Sequence, residues 1–93
     1  MKKRELTYTV VLMREEDGGY SVSVPALKGC HTQGDDLPEA LWMTQDAIQG
    51  YLSVLEEDGD PIPPDVDTVA LDLGDGKEAL VYKVTVREAA AVA

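Results

Sequence analysis

Apolar and polar residues alternate along residues 5–15, ELTYTVVLMRE, where Leu6, Tyr8, Val10 and Leu12 share one parity and Thr7 and Thr9 begin the other. A period of two marks a strand with one buried face. Val11 and Met13 leave its second face partly apolar. Glu16-Asp17-Gly18-Gly19 then supplies turn chemistry, because glycine takes positive φ without steric cost. Tyr20-Ser21-Val22-Ser23-Val24 alternates again, so a β-hairpin is predicted with Tyr20, Val22 and Val24 facing a core. Pro25 cannot donate to a central ladder and ends that strand. Leu27-Lys28-Gly29 turns the chain, and Cys30-His31-Thr32-Gln33 is expected to form a short third strand closed by Gly34.

The period then changes from two to 3.6. Leu37, Ala40, Leu41, Thr44, Ala47, Ile48, Tyr51, Leu52 and Leu55 form one helical face, opposite Glu39, Gln45, Asp46, Gln49 and Ser53. Asp36 followed by Glu39 is a carboxylate version of a capping box, and Pro38 sits in the first turn, where a missing N–H matters little. The helix is expected to end near Gly59, after roughly 21 residues and about 30 Å. Gly50 lies inside it, either at a close packing contact or simply tolerated at a cost of roughly 1 kcal/mol. Asp60-Pro61-Ile62-Pro63-Pro64-Asp65 is a stiff extended connector. Thr68–Leu73 alternates as a strand with Val69, Leu71 and Leu73 inward, Gly74-Asp75-Gly76 reads as a turn, and 78–87 as a last strand. The Ala-rich end, 89–93, is expected to fray.

The predicted architecture is one domain over 1–93 in the order β-β-β-α-β-β: a two-layer α+β fold, with one long amphipathic helix on one face of an antiparallel sheet. Composition fits a globular chain, with 44% hydrophobic and 28% charged residues. The core is thin, because there is no Phe and the aromatics are one Trp and four Tyr. A second subunit is the natural way to add burial, so a homo-oligomer, dimer or tetramer, is expected. A net charge of −10, from 18 acidic and 8 basic residues, opposes binding to DNA or RNA and favours a basic partner. A single cysteine cannot form an internal disulfide, and no apolar run approaches membrane-spanning length, so the expected location is the cytoplasm.

No catalytic, cofactor or metal residues emerge. Cys30 and His31 are adjacent, but neighbours in a strand point to opposite faces. Cys30 is expected to be a buried small hydrophobe and His31 an exposed strand residue. The carboxylates are plentiful but follow no calcium-loop spacing, and a solvated surface is the favoured reading. Trp42 borders the polar side of the helix, and two roles stay open: an interface anchor, or a cover for the sheet edge. Met43, Asp46, Gln49 and Tyr51 join it as candidate interface residues.

The centre of the chain, EDGGYSVSVPALKGCHTQGDDLPEALWMTQDAIQGYL, is more distinctive than its composition. An acidic glycine turn reaches an aromatic at Gly19-Tyr20, and P-x-L-x-G-C-x-T-x-G-D then opens the helix. This resembles the HicB antitoxin family over about residues 8–64, through Pro25, Leu27, Gly29, Cys30, Thr32, Gly34, Asp36, Glu39 and Ala40. The resemblance implies a partly RNase H-like fold, no enzymatic activity, and binding to HicA toxins, small basic proteins that cleave mRNA using a histidine. Many such antitoxins continue into a DNA-binding module. Here 29 residues follow Pro64 and read as strands over 66–88, so no separate DNA-reading domain is expected. The expected function is neutralisation of a HicA-type toxin. The alternatives are an orphan oligomeric domain and, further off, a Mg²⁺-dependent nuclease-like protein using clustered carboxylates.

Overall fold

In the computed structural model, which describes residues 5–74 and 77–87, the chain runs β1 (Glu5–Arg14), β2 (Tyr20–Ser23), β3 (His31–Gly34), α1 (Leu37–Asp58) and β4 (Ala79–Arg87). The four strands form one antiparallel sheet in the order β3-β2-β1-β4. β1 is paired with β4 from Glu5↔Arg87 to Met13↔Ala79, but with β2 only from Val11↔Ser23 to Arg14↔Tyr20. More than half of β1, residues 5–10, therefore runs on past the end of β2.

The hairpin turn uses its two glycines differently. Gly18 alone takes positive φ, at 97°, and donates to the Glu15 carbonyl at 3.0 Å. Gly19 serves close approach instead, since a Cβ there would lie 3.1 Å from the Gly34 carbonyl oxygen. Between β2 and β3, two consecutive turns close through Leu27 N–H to Val24 O (3.0 Å) and Cys30 N–H to Leu27 O (2.9 Å). Leu27, fully buried, anchors that loop.

The helix ends follow the capping signals. The Asp36 carboxylate accepts from Glu39 N–H at 2.8 Å, and Glu39 reaches back to Asp35 N–H, also at 2.8 Å, one residue earlier than in the usual box. At the other end Gly59 (φ 73°) donates to Glu56 O, and Asp60 N–H to Leu55 O, which is a Schellman closure. Ala40, Thr44, Ile48 and Leu52 face the sheet and meet Tyr8, Val10, Leu12, Val22, Val84 and Val86 in one core. Thr44 is fully buried, and its hydroxyl donates to the Ala40 carbonyl at 2.6 Å, so the helix itself satisfies it. The tightest contact is between Gly34 and the first turn of α1. A Cβ at Gly34 would sit 2.4 Å from Ala40 N and 2.6 Å from its Cα. Glycine is required there by the approach of two backbones.

The predicted strand at 68–73 does not form. Thr68–Leu73 pairs with no strand, and Leu71 is exposed rather than inward. The reason lies in how the connector leaves the helix. Pro63 O accepts from the Tyr8 hydroxyl at 2.6 Å on the helix side of the sheet. Two residues later the Asp65 carboxylate takes Thr9 N–H (2.8 Å), Thr9 Oγ1–H (2.7 Å) and Lys83 Nζ (2.9 Å). Thr9 and Lys83 are register partners across β1 and β4, on the face opposite the helix. The connector thus rounds the bare edge of β1, and Asp65 satisfies the N–H that a further strand would have used. β4 then pairs with the other side of β1. The predicted turn at Gly74–Gly76 lies partly outside the described residues, and residues 89–93 lie wholly outside them.

The acidity of Asp65 is displaced by its contacts. Partial burial pushes it up, but hydrogen bonds from Thr9 N–H, Lys83, the Thr9 hydroxyl and Val66 N–H outweigh this and hold it at about 2, below the usual 3.8.

Candidate interaction site

The five candidate interface residues share one helix but not one surface. Trp42, Asp46 and Gln49 follow i, i+4, i+7 spacing and line one ridge, with Trp42 63% exposed and the other two exposed. Met43 is half-buried on the flank of that ridge. Tyr51 lies nine positions from Trp42, roughly 180° round the helix. Its hydroxyl donates to the Lys28 carbonyl at 2.9 Å and ties α1 to the β2–β3 loop.

Trp42 stands at a groove of about 570 Å³ between the first half of α1 and β4. Pro38, Leu41 and Gln45 form the helix wall, and Tyr82 and Thr85 the strand wall. The Gln45 amide reaches the Thr85 carbonyl at 3.5 Å, the long limit of a hydrogen bond. Both readings of Trp42 therefore meet here: it borders the edge strand and keeps most of its surface in solvent.

The electrostatics of α1 are one-sided. Its sequence, LPEALWMTQDAIQGYLSVLEED, carries five carboxylates and no cation. Glu56, Glu57 and Asp58 crowd the C-terminal end, where the helix dipole is already negative and each acid costs about 0.3–1 kcal/mol. The helix thus offers an exposed aromatic residue on an acidic element.

The motif residues resolve into structural roles. Gly34 and Ala40 make the backbone contact described above, Asp36 and Glu39 cap the helix, and Leu27 and Gly29 shape the loop, with Gly29 at φ 81°. Pro25 follows the last β2 residues, Tyr20 is half-buried at the start of β2, and Thr32 is half-buried in β3. Cys30 is buried, which raises its thiol pKa, while His31 is exposed. Among the described residues no three His, Cys, Asp or Glu side chains gather to hold a metal ion, and no helix is long and apolar enough to cross a membrane. A second groove of about 530 Å³ at the hairpin end, walled by Glu15, Asp17, Tyr20, Ser21, Gln33 and Lys77, contains no such group either.

The groove's strand wall and the Asp65 cluster were not foreseen from sequence. Tyr82 shares the parity of core residues and reads as core, and nothing in the sequence says that β4 is an edge strand.

Comparison with known proteins bears on this arrangement directly. The family described as HicB-like antitoxin of bacterial toxin–antitoxin systems matches residues 8–87. A UPF0150 protein of Thermoplasma acidophilum is 45% identical over 60 residues, covering 64% of this chain and 87% of that protein. Antitoxin HicB 1 of Photorhabdus laumondii is 40% identical over 60 residues, 64% of this chain but only 39% of its own length. A toxin–antitoxin complex from Streptococcus pneumoniae contains a chain of the same fold, with TM-score 0.75 at 20% identity over 89% of this chain and 69% of that one. The N-terminal domain of the Burkholderia pseudomallei antitoxin HicB superposes with TM-score 0.59 at 20% identity, over 83% of this chain and 95% of that domain. With a family match spanning both the helix and β4, this chain belongs to the HicB-like antitoxin family, a family not known for enzymes.

Proposed function

We propose that this chain is the antitoxin of a toxin–antitoxin pair: a non-catalytic, cofactor-free cytoplasmic domain that binds and neutralises a small basic mRNA-cleaving toxin of the HicA type, as a homo-oligomer. The observation that carries the reading is the ridge of α1, where Trp42 is 63% exposed on a helix with five carboxylates and no cation. An exposed tryptophan is the residue type most enriched among binding hot spots. The acidity of the helix and of the whole chain steers a basic partner and opposes RNA. Asp46 and Gln49 extend the contact along the ridge, Met43 flanks it, and Tyr51 holds the helix in place from behind. Family membership supports the same reading, as does the likeness in fold to a chain from a solved toxin–antitoxin complex.

The test is capture of the toxin from host lysate on tagged antitoxin, followed by binding measurements with the purified pair. A small basic ribonuclease should be retained at low salt, inhibited when bound, and released as salt screens the charges. Trp42→Ala should weaken its binding by about 2 kcal/mol, roughly 30-fold in Kd, with the thermal midpoint of the free antitoxin unchanged. Recovery of only the bait's own untagged copies would overturn the antitoxin reading and leave an orphan oligomer.

A further inference from the structure

The two edges of the sheet are unlike. β3 spans four residues and offers little to pair with, whereas β4 spans nine, with no proline or glycine and no bulge in its register with β1. Short edges, charges and bulges are the usual protections against edge-to-edge association, and β4 has few of them. Its charged residues within the strand are Lys83 and Arg87. Lys83 is neutralised by Asp65 at 2.9 Å and Arg87 lies 3.4 Å from the Glu5 carboxylate. In a chain of net charge −10, this edge is locally balanced.

The direction of its backbone groups follows from Thr9. Thr9 N–H points away from β4, to Asp65, so Thr9 and its register partner Lys83 form a pair that exchanges no backbone hydrogen bonds. Along β4 the odd residues Val81, Lys83 and Thr85 therefore direct N–H and C=O outward, and the even residues bond β1. The Thr85 carbonyl confirms the direction, since it meets the Gln45 amide outside the sheet. Val81 is 52% exposed.

We infer that the outer edge of β4 is the self-association surface of this antitoxin, pairing antiparallel with β4 of a second copy about a two-fold axis at Tyr82. This rests on the homo-oligomer in the proposed function and specifies its interface. In this register Val81 lies opposite Lys83 of the second copy and Ala79 opposite its Thr85, so outward backbone groups exchange hydrogen bonds across the axis. On the helix side, Tyr82 meets Tyr82 and Leu80 meets Val84, the aromatic and aliphatic pairs that stabilise neighbouring strands. A two-fold at Lys83 would instead set two lysines opposite each other. The helix is a poor surface for a second copy, because it carries five carboxylates and no cation, and packing it on its own copy would bring like charges together. The second copy's β4 supplies a wall beside Trp42 and Gln45 that the groove lacks. Gln45, held at 3.5 Å, is a weak placeholder for the incoming N–H.

The experiment is sedimentation equilibrium on the full chain and on V81K and V81E, with circular dichroism to confirm that each variant folds. The wild type should show a species of twice the 10.1 kDa chain mass at micromolar concentration. V81K puts a second lysine opposite Lys83 at two symmetric places and should raise the dimer Kd, while V81E offers it a carboxylate and should not. The two variants should differ by about tenfold or more. A wild type that stays monomeric to roughly 1 mM overturns the inference (a Kd weaker than about −4 kcal/mol of association). So do folded variants that dimerise equally well. If the wild type is monomeric and V81K weakens toxin binding, the edge is occupied by a strand of the toxin. A monomeric V81K variant that still binds toxin through Trp42 separates this interface from the antitoxin reading.

Discussion

The sheet is covered twice, and the two covers are held by different physics. α1 lies on one face through a continuous apolar stripe, Ala40, Ile48 and Leu52 against Tyr8, Val10 and Leu12, all nearly solvent-free. The connector after α1 rounds the edge of β1, held by Tyr8 to Pro63 on the helix side and by the contacts of Asp65 with Thr9 and Lys83 on the other. The first cover is distributed over many contacts. The second is pinned chiefly by one side chain, 19% exposed, with the Tyr8–Pro63 bond and the partly buried Ile62 beside it. Burial spread over a face is lost one contact at a time, whereas the hydrogen bonds of a pin are lost together.

The largest expected effect breaks the helix cover at its tightest point. Gly34→Ala sets a methyl 2.4 Å from a backbone nitrogen, so a strand or the helix must move. A loss of about 3 kcal/mol is expected by chemical denaturation, the upper end for overpacking.

A smaller effect tests the other cover. Asp65→Asn removes the charge facing Lys83 and is expected to cost about 1–2 kcal/mol at neutral pH. Its acid dependence has a defined sign. The folded carboxyl sits at about 2, below its usual 3.8, so its stabilisation is complete above roughly pH 4 and disappears as pH falls through 2. Wild-type stability should therefore decline more steeply than that of D65N between pH 4 and pH 2. Parallel curves would show that Asp65 does not hold the connector.

The smallest effect has the opposite sign. Gly50 is exposed, and a Cβ there would meet nothing within 4 Å. Of the two roles open to it, the structure gives simple tolerance within the chain. Gly50→Ala should raise stability by about 0.8–1 kcal/mol, read as a higher thermal midpoint.

The same contrast decides what was legible in the sequence. Everything held by period or by caps could be read: the hairpin, the helix from Leu37 to Asp58, its buried face, and the opposite fates of Cys30 and His31. In the candidate surface the helical spacing of Trp42, Asp46 and Gln49 is legible in the sequence, whereas the bond that turns Tyr51 to the Lys28 loop is not.

Thr68–Leu73 shows where reading from the sequence stops. Alternation records which side chains are sheltered, and an extended strap shelters alternate residues as a strand does. Pairing is a property of two segments, and here the free N–H at Thr9 is taken by the Asp65 carboxylate. The sequence by itself determined the helix, the hairpin, the acidic character and the family likeness, because those depend on neighbours a few residues apart. The tertiary structure alone decided that Asp65 meets Thr9 and Lys83, that Gly34 touches Ala40, and that β4 is an edge. Those outcomes depend on which distant segments reach an unsatisfied backbone group first, and local patterning carries no record of that competition.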